Sequence, residues 1–355
     1  MRTTVLSRRW NNQWTSIQNL KFDKDDEYFS TGRNDPDRFA RFVNRALHFR
    51  ESSDIQKFTL CINRIGFRIH LLCGYWHIHD WICTAVRRNV NTADFKFGLQ
   101  WWDITFDPPA SGCFPSLESL KLKVRVRVRI VDPVEHEMEK LLSSCPKLVH
   151  LGVSISGFAA FNLKVSAPEL KWLKIMSLLQ RSQLITFCVD APKLEDLYLF
   201  GLYRLPNLFL ENAKSLVRAR MCKLSVEEQP SCPNRPNMLL AQISGVKYLS
   251  LLARILVKTE GDYESSCSLP EVVPICLSSH LKKIFIRGFK GRKCDMKVAK
   301  YLLENGYHLN EFTIICFHTI LLDKKEELHK ELCMFQKAKS CSIYFDEDVL
   351  KGQKA

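Results

Sequence analysis

Residues 145–151 read Cys-Pro-Lys-Leu-Val-His-Leu, and related stretches follow at 167–173 (Ala-Pro-Glu-Leu-Lys-Trp-Leu) and 191–197 (Ala-Pro-Lys-Leu-Glu-Asp-Leu). Each stretch continues to an apolar residue two places later, so all three share one small-Pro-x-Leu-x-x-Leu-x-apolar pattern. Proline fixes its own φ and keeps the preceding residue out of the helical region, so any preceding helix must end there. The last two apolar positions lie two apart and share one side of an extended backbone. The pattern therefore predicts that a half-buried strand begins after each proline.

The spacing of these copies indicates a repeat protein. Their first leucines, Leu148, Leu170 and Leu194, are 22 and 24 residues apart, which is typical of leucine-rich repeats of about 20–29 residues. A single such strand cannot bury its apolar side, so neighbouring copies must stack into a continuous core. We expect an α/β leucine-rich-repeat solenoid, an irregular, curved parallel sheet with helices on the outer side. An ordinary α/β domain is the alternative. Solenoids commonly bind other molecules.

Looser copies extend the array in both directions. Residues 114–122 precede the clean copies and 213–219 follow them, whereas 246–251 and 281–286 keep only the strand half. The period there lengthens to 30 and 35 residues, so these repeats carry insertions. Between strands, Asp132-Pro133 followed by an apolar stripe predicts a helix that ends before Pro146.

The composition is that of a folded chain with a large core. The 355 residues are 46% hydrophobic, and no apolar run approaches the ~18–20 residues that span a bilayer. The first residues lack the apolar segment of a secretory signal, so we expect the cytoplasm or nucleus and no membrane partner.

Metal, cofactor and catalytic chemistry find little support in the sequence. The 14 cysteines are scattered singly through apolar stretches, which favours small buried side chains over a disulfide framework. No Walker loop, dinucleotide fingerprint, nucleophile elbow or HExxH helix occurs, so we predict a protein that is not an enzyme and needs no cofactor. One cluster combines ligand-type side chains, but its spacing fits no common zinc pattern, and its apolar neighbours favour an amphipathic helix: Cys73, His77, His79 and Cys83.

The charge balance leaves a second function open. Lysine and arginine number 52 against 38 acidic residues. Residues 121–129 alternate cations with apolar residues, and 281–300 hold eight cations and one acid. Such patches are usually solvated strand and helix faces, although they could contact phosphates or an acidic protein. Binding of nucleic acid is the less favoured interpretation, because no groove-docking module is visible and the Gly288–Gly291 spacing is better explained by a turn.

The ends of the chain resemble a known family. Residues 5–22, which begin Val-Leu-Ser-Arg-Arg-Trp, resemble the closing portion of a plant F-box, and 269–292 together with 301–305 resemble the FBD domain. With the repeats between them, the chain resembles plant F-box/LRR-repeat proteins of the FBD-containing class. That resemblance implies a substrate-recognition subunit of an SCF-type ubiquitin ligase, in which the F-box binds a Skp-type adaptor attached to a cullin and the repeats bind a target protein.

The resemblance also suggests a division of the chain. We expect an F-box remnant at 1–22, irregular leucine-rich repeats at 37–265, an FBD domain at 266–346 and a polar tail at 347–355. The front of the F-box is missing from this sequence, so the expected adaptor contact is reduced to a remnant that could instead pack on the first repeat. Its residues are Leu6, Arg8, Arg9 and Trp10.

The C-terminal part is predicted to extend the solenoid with longer repeats. We expect a helix at 295–305, a strand at 312–316, a helix whose capping box spans 323–326, and a strand at 342–345. A separate sheet formed by these strands would contradict that hypothesis.

Target recognition is expected on the positions between the strand leucines. Trp172 and Tyr198 are the first candidates for anchors, because aromatic side chains often dominate interface energies, and burial of both would exclude them. The full candidate set is Lys171, Trp172, Lys174, Glu195, Asp196 and Tyr198. An interaction scaffold without ligase coupling, or a basic nucleic-acid-binding repeat protein, are the alternative functions.

Overall fold

The computed structural model describes most of the chain and forms two compact units, Met1–Ala191 and Pro192–Ala355. The described residues are 13–24, 26, 29, 37–50, 54–62, 74–97, 114–126, 134–157, 161–179, 185–201, 207–223, 240, 242–252, 258–259, 267–268, 272–316, 322–334 and 341–347.

The first unit contains six strands that pair in parallel in the order β1-β2-β3-β4-β5-β7. A 3-10 turn at Gln13–Ser16 precedes them. The strands of the unit are β1 (Asn19–Asp23), β2 (Lys57–Ile62), β3 (Thr92–Phe97), β4 (Ser119–Val126), β5 (His150–Gly157), β6 (Phe161–Ser166), β7 (Trp172–Leu179) and β8 (Ile185–Asp190). Its helices are α1 (Asp37–His48), α2 (Gly74–Arg87) and α3 (Val134–Ser143).

The second unit repeats this arrangement with six parallel strands in the order β9-β11-β12-β15-β16-β17. Its strands are β9 (Asp196–Gly201), β10 (Asn207–Glu211), β11 (Arg218–Lys223), β12 (Tyr248–Leu252), the antiparallel pair β13 (Lys258–Thr259) and β14 (Cys267–Ser268), β15 (Lys283–Phe289), β16 (Glu311–Cys316) and β17 (Ser342–Glu347). Its helices are α4 (Ile275–Ser279), α5 (Lys293–Asn305) and α6 (Leu322–Cys333). Parallel strands with interspersed helices confirm the predicted leucine-rich-repeat fold class.

The first four residues of the small-Pro-x-Leu-x-x-Leu-x-apolar pattern form a tight turn, and the first and fourth residues are buried. In the copy at 145–151, the backbone N–H of Leu148 donates to the carbonyl of Cys145 at 3.2 Å, and both side chains are buried. Leu170 and Ala167 form the same bond at 3.1 Å. Proline at the second position of such a turn fixes the φ that the turn requires. The small first residue and the leucine then lie together in the core.

A repeated hydrogen bond connects each turn to the preceding repeat. Val149 and His150 both donate their backbone N–H to the carbonyl of Glu118, and Lys171 and Trp172 do the same to Val149. In the second unit, Lys282 and Lys283 donate to Lys247. In these repeats one carbonyl therefore accepts two N–H groups at the start of the strand, which fixes the register of the stack.

The chain between β5 and β7 departs from the predicted arrangement of helices. It contains β6, and the next connection contains β8, which pairs with β6 in parallel. Leu163 and Val165 are buried whereas Asn162 and Lys164 are exposed. This alternation has a period of two and favours a strand. Helix α3 still packs on this layer, since Glu139 accepts the backbone N–H of Lys164 at 3.0 Å.

The C-terminal strands continue the sheet of the second unit, as the sequence predicts. Strand β15 pairs with β12, and β16 and β17 follow in parallel. Leu309 donates to the carbonyl of Gly306 at 3.2 Å, so the same turn geometry recurs without proline. Helix α6 begins at Leu322, which places Asp323 inside its first turn and makes the predicted N-cap at that residue wrong.

The turn between β15 and α5 is held by a buried carboxylate. Gly288 and Gly291 both have a φ of 69°, a conformation that favours glycine, which agrees with the turn interpretation of this segment. Asp295, 2% exposed, accepts the backbone N–H of Lys290 at 2.9 Å and of Arg292 at 3.3 Å through Oδ2. Its position as the third residue of α5 completes a capping box.

Replacement of Asp295 by alanine is expected to destabilise the second unit by about 2 kcal/mol, because two backbone donors at a helix start lose their acceptor. Urea unfolding followed by circular dichroism measures this change. Lys297→Ala, an exposed position of the same helix, is the control and should change the midpoint little. Equal stability of the two variants would contradict the capping role.

The cluster that resembled a metal site lies on and before helix α2. Cys73 is outside the described residues, whereas α2 confirms the predicted helix with Trp81 and Ile82 buried. Trp81 donates through Nε1 to Asn44 of α1 at 2.5 Å. Cys83 is buried, and that burial raises the pKa of its thiol. Of the scattered cysteines, Cys316 and Cys341 are buried and Cys188 and Cys222 are half-buried.

In the described part of the chain, no helix combines the length and the apolar character needed to cross a membrane.

Candidate protein-binding surface

Each parallel sheet has a core side and an opposite side, here called the open face. In β9, Leu197 and Leu199 are buried, whereas the alternating Asp196, Tyr198 and Phe200 are half-buried. In β7, Leu173 and Ile175 are likewise buried. Because strand side chains alternate, the half-buried set lies on the side opposite to the leucines. The open face therefore carries the variable side chains of the repeats.

On the first unit, the open face combines an aromatic cluster with lysines. The rings of Trp172 and His150 lie 6.3 Å apart between centroids. A Cβ added to Gly152 would lie 3.5 Å from Cγ of Lys121 and 3.8 Å from Cζ3 of Trp172. Because Gly152 has no side chain, the ring of Trp172 and the aliphatic part of Lys121 lie close to its backbone.

Two cations are close together at this point. Burial lowers the pKa of Lys174, and the nearby charge of Lys121 lowers it further. The register explains the proximity, since Lys121 pairs with Gly152 and Gly152 pairs with Lys174 across neighbouring strands. Lys171 is exposed immediately before β7. This surface is suited to acidic groups.

On the second unit, ion pairs line the start of the strands. Arg218 binds Asp196 through two hydrogen bonds, of which Nη2 to Oδ2 measures 2.8 Å. Lys283 Nζ lies 2.6 Å from Oε2 of Glu311. The predicted candidate Asp196 is therefore engaged with its neighbour in the sheet. Glu195 is half-buried.

The next positions along the same strands form an aromatic surface with two arginines. Tyr198, Arg220, Ser250 and Phe285 are consecutive partners in the register. Two residues further along, Cys222 pairs with Phe200, and Arg287 pairs with Leu252. At the edge of the unit, β16 and β17 add Thr313, Ile315 and Tyr344 to the open face.

Burial and local charge act in opposite directions on Tyr198. Burial raises the pKa of its phenol most strongly, and Cys222 adds to this through its charge and a hydrogen bond. Arg287 and Arg220 lower the same pKa. Both arginines therefore act electrostatically on the phenol, and the strand register brings them to the same face from distant parts of the sequence.

The structure leaves both predicted anchors accessible. Trp172 and Tyr198 are half-buried, so burial excludes neither, and their role in binding stays a prediction. The adaptor candidates Leu6, Arg8, Arg9 and Trp10 lie outside the described residues. The sequence pattern did not point to Arg220, Ser250, Phe285 or Arg287, although Ser250 and Phe285 lie within the strand halves at 246–251 and 281–286 and Arg287 directly follows the second.

The basic segments are only partly described. Lys121 is exposed on β4, whereas the side chains of Arg125, Arg127 and Arg129 lie outside the described part of the protein. In the second segment, Lys283 pairs with Glu311, and Lys300 Nζ lies 2.7 Å from Oε1 of Glu331. Part of the positive charge at 281–300 is therefore locally neutralised. Nucleic-acid binding stays the less favoured prediction.

Two family models match the chain in succession. Residues 69–226, from before α2 to beyond β11, match the model described as "FBD-associated F-box protein At5g56370, LRR repeats". Residues 269–314, which include α4, β15 and α5, match the model described as "FBD". The repeats and the C-terminal region thus each resemble a separate part of one class of proteins.

Curated relatives from Arabidopsis thaliana align over almost the whole chain. FBD-associated F-box protein At3g52670 is 25% identical over 97% of this chain and 91% of its own length. F-box/FBD/LRR-repeat protein At2g04230 is 24% identical over 97% of this chain and 91% of its own length. No solved structure matches significantly. Since the two family models match successive parts of the chain and the relatives cover nearly the entire sequence, the chain belongs to the FBD-associated F-box/LRR-repeat family of plant proteins.

Proposed function

We propose that this protein is a substrate-recognition subunit of an SCF-type E3 ubiquitin ligase and that it binds its target through the open face. The observation that carries this proposal is the aromatic and charged surface opposite to the core leucines. Trp172 on the first unit and Tyr198 on the second are half-buried there. Such side chains offer a large contact area that is neither fully solvated nor committed to the core.

Family membership supports a role in binding. Proteins of the F-box/LRR family are non-catalytic, in agreement with the prediction that this chain is not an enzyme. Within the proposed function, 1–22 is the F-box segment, 37–265 the repeats, 266–346 the FBD domain and 347–355 a polar tail. Leu6, Arg8, Arg9 and Trp10 would contact a Skp-type adaptor, which in turn binds a cullin. The complex would act in the cytoplasm or nucleus.

Affinity purification of the tagged chain from plant cells tests the proposal. We expect a Skp-type adaptor and a cullin to be recovered together with at least one further protein. The double variant Leu6→Ala, Trp10→Ala should lose the adaptor and retain that protein. Trp172→Ala and Tyr198→Ala should do the opposite, each with at least about tenfold weaker recovery, because aromatic anchors dominate many interfaces.

Two outcomes would contradict the proposed function. Recovery of a protein partner without adaptor or cullin, from the unmodified chain, would identify an interaction scaffold. Retention of every partner by both aromatic variants would move recognition away from the open face. Lys147→Ala, an exposed position in a turn rather than on a strand, is the control substitution.

A further inference from the structure

Two hydrogen-bond donors on the open face of the second unit are buried without a partner. The hydroxyl of Ser250, a residue that is only 7% exposed, and Nε of Arg287 make no hydrogen bond within the described part of the protein. Buried polar groups in folded proteins are normally paired, and an unpaired one costs free energy. A ligand that accepts these hydrogen bonds would recover that cost on binding.

The two donors are close enough to serve one ligand. Ser250 pairs with Phe285 across β12 and β15, and Arg287 lies two residues beyond Phe285 on the same side of the strand. Diagonal neighbours of this kind have Cα atoms about 7–8 Å apart. Since an arginine side chain can span that distance, its guanidinium and the serine hydroxyl can meet at a common group above Phe285.

The local charge favours an anion. In the described residues, the ion pairs at this face join Arg218 to Asp196 and Lys283 to Glu311. Arg220 and Arg287 take part in none of them. The positions around them on the open face hold aromatic, apolar and small polar residues. The acidic residue among these positions is Asp346, on the edge strand β17. These positions are Tyr198, Phe200, Cys222, Ser250, Leu252, Phe285, Thr313, Ile315, Tyr344 and Asp346.

The two buried donors and the apolar neighbours favour a carboxylate over a phosphate. A carboxylate has two oxygens, and it accepts charge-assisted hydrogen bonds from a guanidinium in a fixed geometry. Ser250 and Arg287 supply two buried unpaired donors, which matches those oxygens. A phosphate dianion carries more charge, so moving it from water to a site beside apolar side chains costs more desolvation free energy. The neighbouring Phe285 and Leu252 offer an apolar contact beside the charged group.

We propose that Arg220, Ser250 and Arg287 bind the carboxylate of an acidic side chain in an extended segment of the target protein. Phe285 and Leu252 then contact an apolar side chain next to it. This inference rests on the proposed function. Guanidinium groups near an apolar surface bind carboxylates strongly because water is partly excluded. The site thus recognises an acidic residue adjacent to an apolar one.

Synthetic peptide libraries presented to the purified full chain test this inference. Three libraries share random apolar flanks and differ at one central position, which is glutamate, glutamine or phosphoserine. We expect binding to glutamate peptides to exceed binding to glutamine peptides by about tenfold or more. Arg287→Gln should weaken glutamate binding about tenfold to hundredfold and Ser250→Ala about fivefold, whereas neither should affect the glutamine library.

A matched variant separates this site from general charge effects. Arg218→Gln removes the same charge from β11, two residues before Arg220, but its guanidinium is already bound to Asp196. It should change glutamate binding by less than about twofold, whereas Arg220→Gln should weaken it about tenfold. Ser250→Ala should leave the unfolding midpoint unchanged or raise it, because it removes an unpaired buried group, and this outcome excludes simple misfolding.

The results also distinguish this inference from the proposed function. Equal binding of glutamate and glutamine peptides, or binding of phosphoserine peptides alone, would overturn the inference. If Arg287→Gln still recovers target and adaptor from cells as the unmodified chain does, the inference fails and the ligase function stands. If peptides bind as expected but no adaptor is recovered, the site stands and the ligase function fails.

Discussion

Replacement of Leu148 by alanine is expected to lower the free energy of unfolding of the first unit by about 3–4 kcal/mol. Leu148 is the first leucine of one copy of the small-Pro-x-Leu-x-x-Leu-x-apolar pattern and is 1% exposed. Alanine removes most of its buried apolar area and leaves a cavity that stacked neighbours close only partly. The effect is large because the position belongs to a continuous core, in which Leu117 and Leu170 of the adjacent repeats are also fully buried.

Urea unfolding followed by far-ultraviolet circular dichroism measures this prediction. The control is Lys147→Ala, one residue earlier in the same turn, where the side chain is exposed and the expected change is within about 0.5 kcal/mol. Similar midpoints for the two variants would show that the pattern does not anchor the core. Because the turn bond from Leu148 to Cys145 involves backbone atoms only, the comparison isolates the buried side chain.

The sequence was sufficient to predict the repeated unit because its signals are local. Proline, a small residue and a leucine within four positions determine a turn, and the following alternation determines a strand. This local logic also predicted α2 and α5 and the continuation of the array through β15, β16 and β17. In each case, the side chains that decide the outcome lie within one turn or one strand of each other.

The connections that follow β5 and β7 were harder to predict. The helix expected there is replaced by β6 and β8, although the alternation of Asn162, Leu163, Lys164 and Val165 was present in the sequence. A strand needs a neighbouring strand for its hydrogen bonds, and β6 finds that neighbour in β8, more than 20 residues later. The formation of strand β6 therefore depends on pairing with β8, and a local sequence pattern does not indicate such a distant partner.

The candidate site was still harder to predict from local patterns, because its residues are far apart in the sequence. Arg220, Ser250 and Phe285 come from three repeats separated by 30 and 35 residues, and only the register places them side by side. The pairing of Asp196 with Arg218 likewise depends on register, and it changes Asp196 from a candidate contact into an ion-pair partner. Irregular repeat lengths hide such alignments, whereas the strand hydrogen bonds reveal them directly.

The second large effect is expected at Gly306, the residue that follows helix α5. A Cβ at this position would lie 2.0 Å from Cδ1 and 2.7 Å from Cγ of Leu309, and 2.8 Å from the backbone oxygen of Leu302. Its φ of −87° is open to any residue, so the requirement for glycine is one of space. Gly306→Ala should therefore destabilise the second unit by about 2–3 kcal/mol through overpacking.

A double-mutant cycle with Leu309 tests this explanation. Leu309 is 1% exposed, so Leu309→Ala alone should cost about 3 kcal/mol through a cavity. In the double variant, the new methyl group at 306 occupies part of the space that Leu309 vacates, and the combined loss should be smaller than the sum by at least about 1 kcal/mol. Additive losses in urea unfolding would contradict steric coupling and would assign the cost at Gly306 to the carbonyl of Leu302 instead.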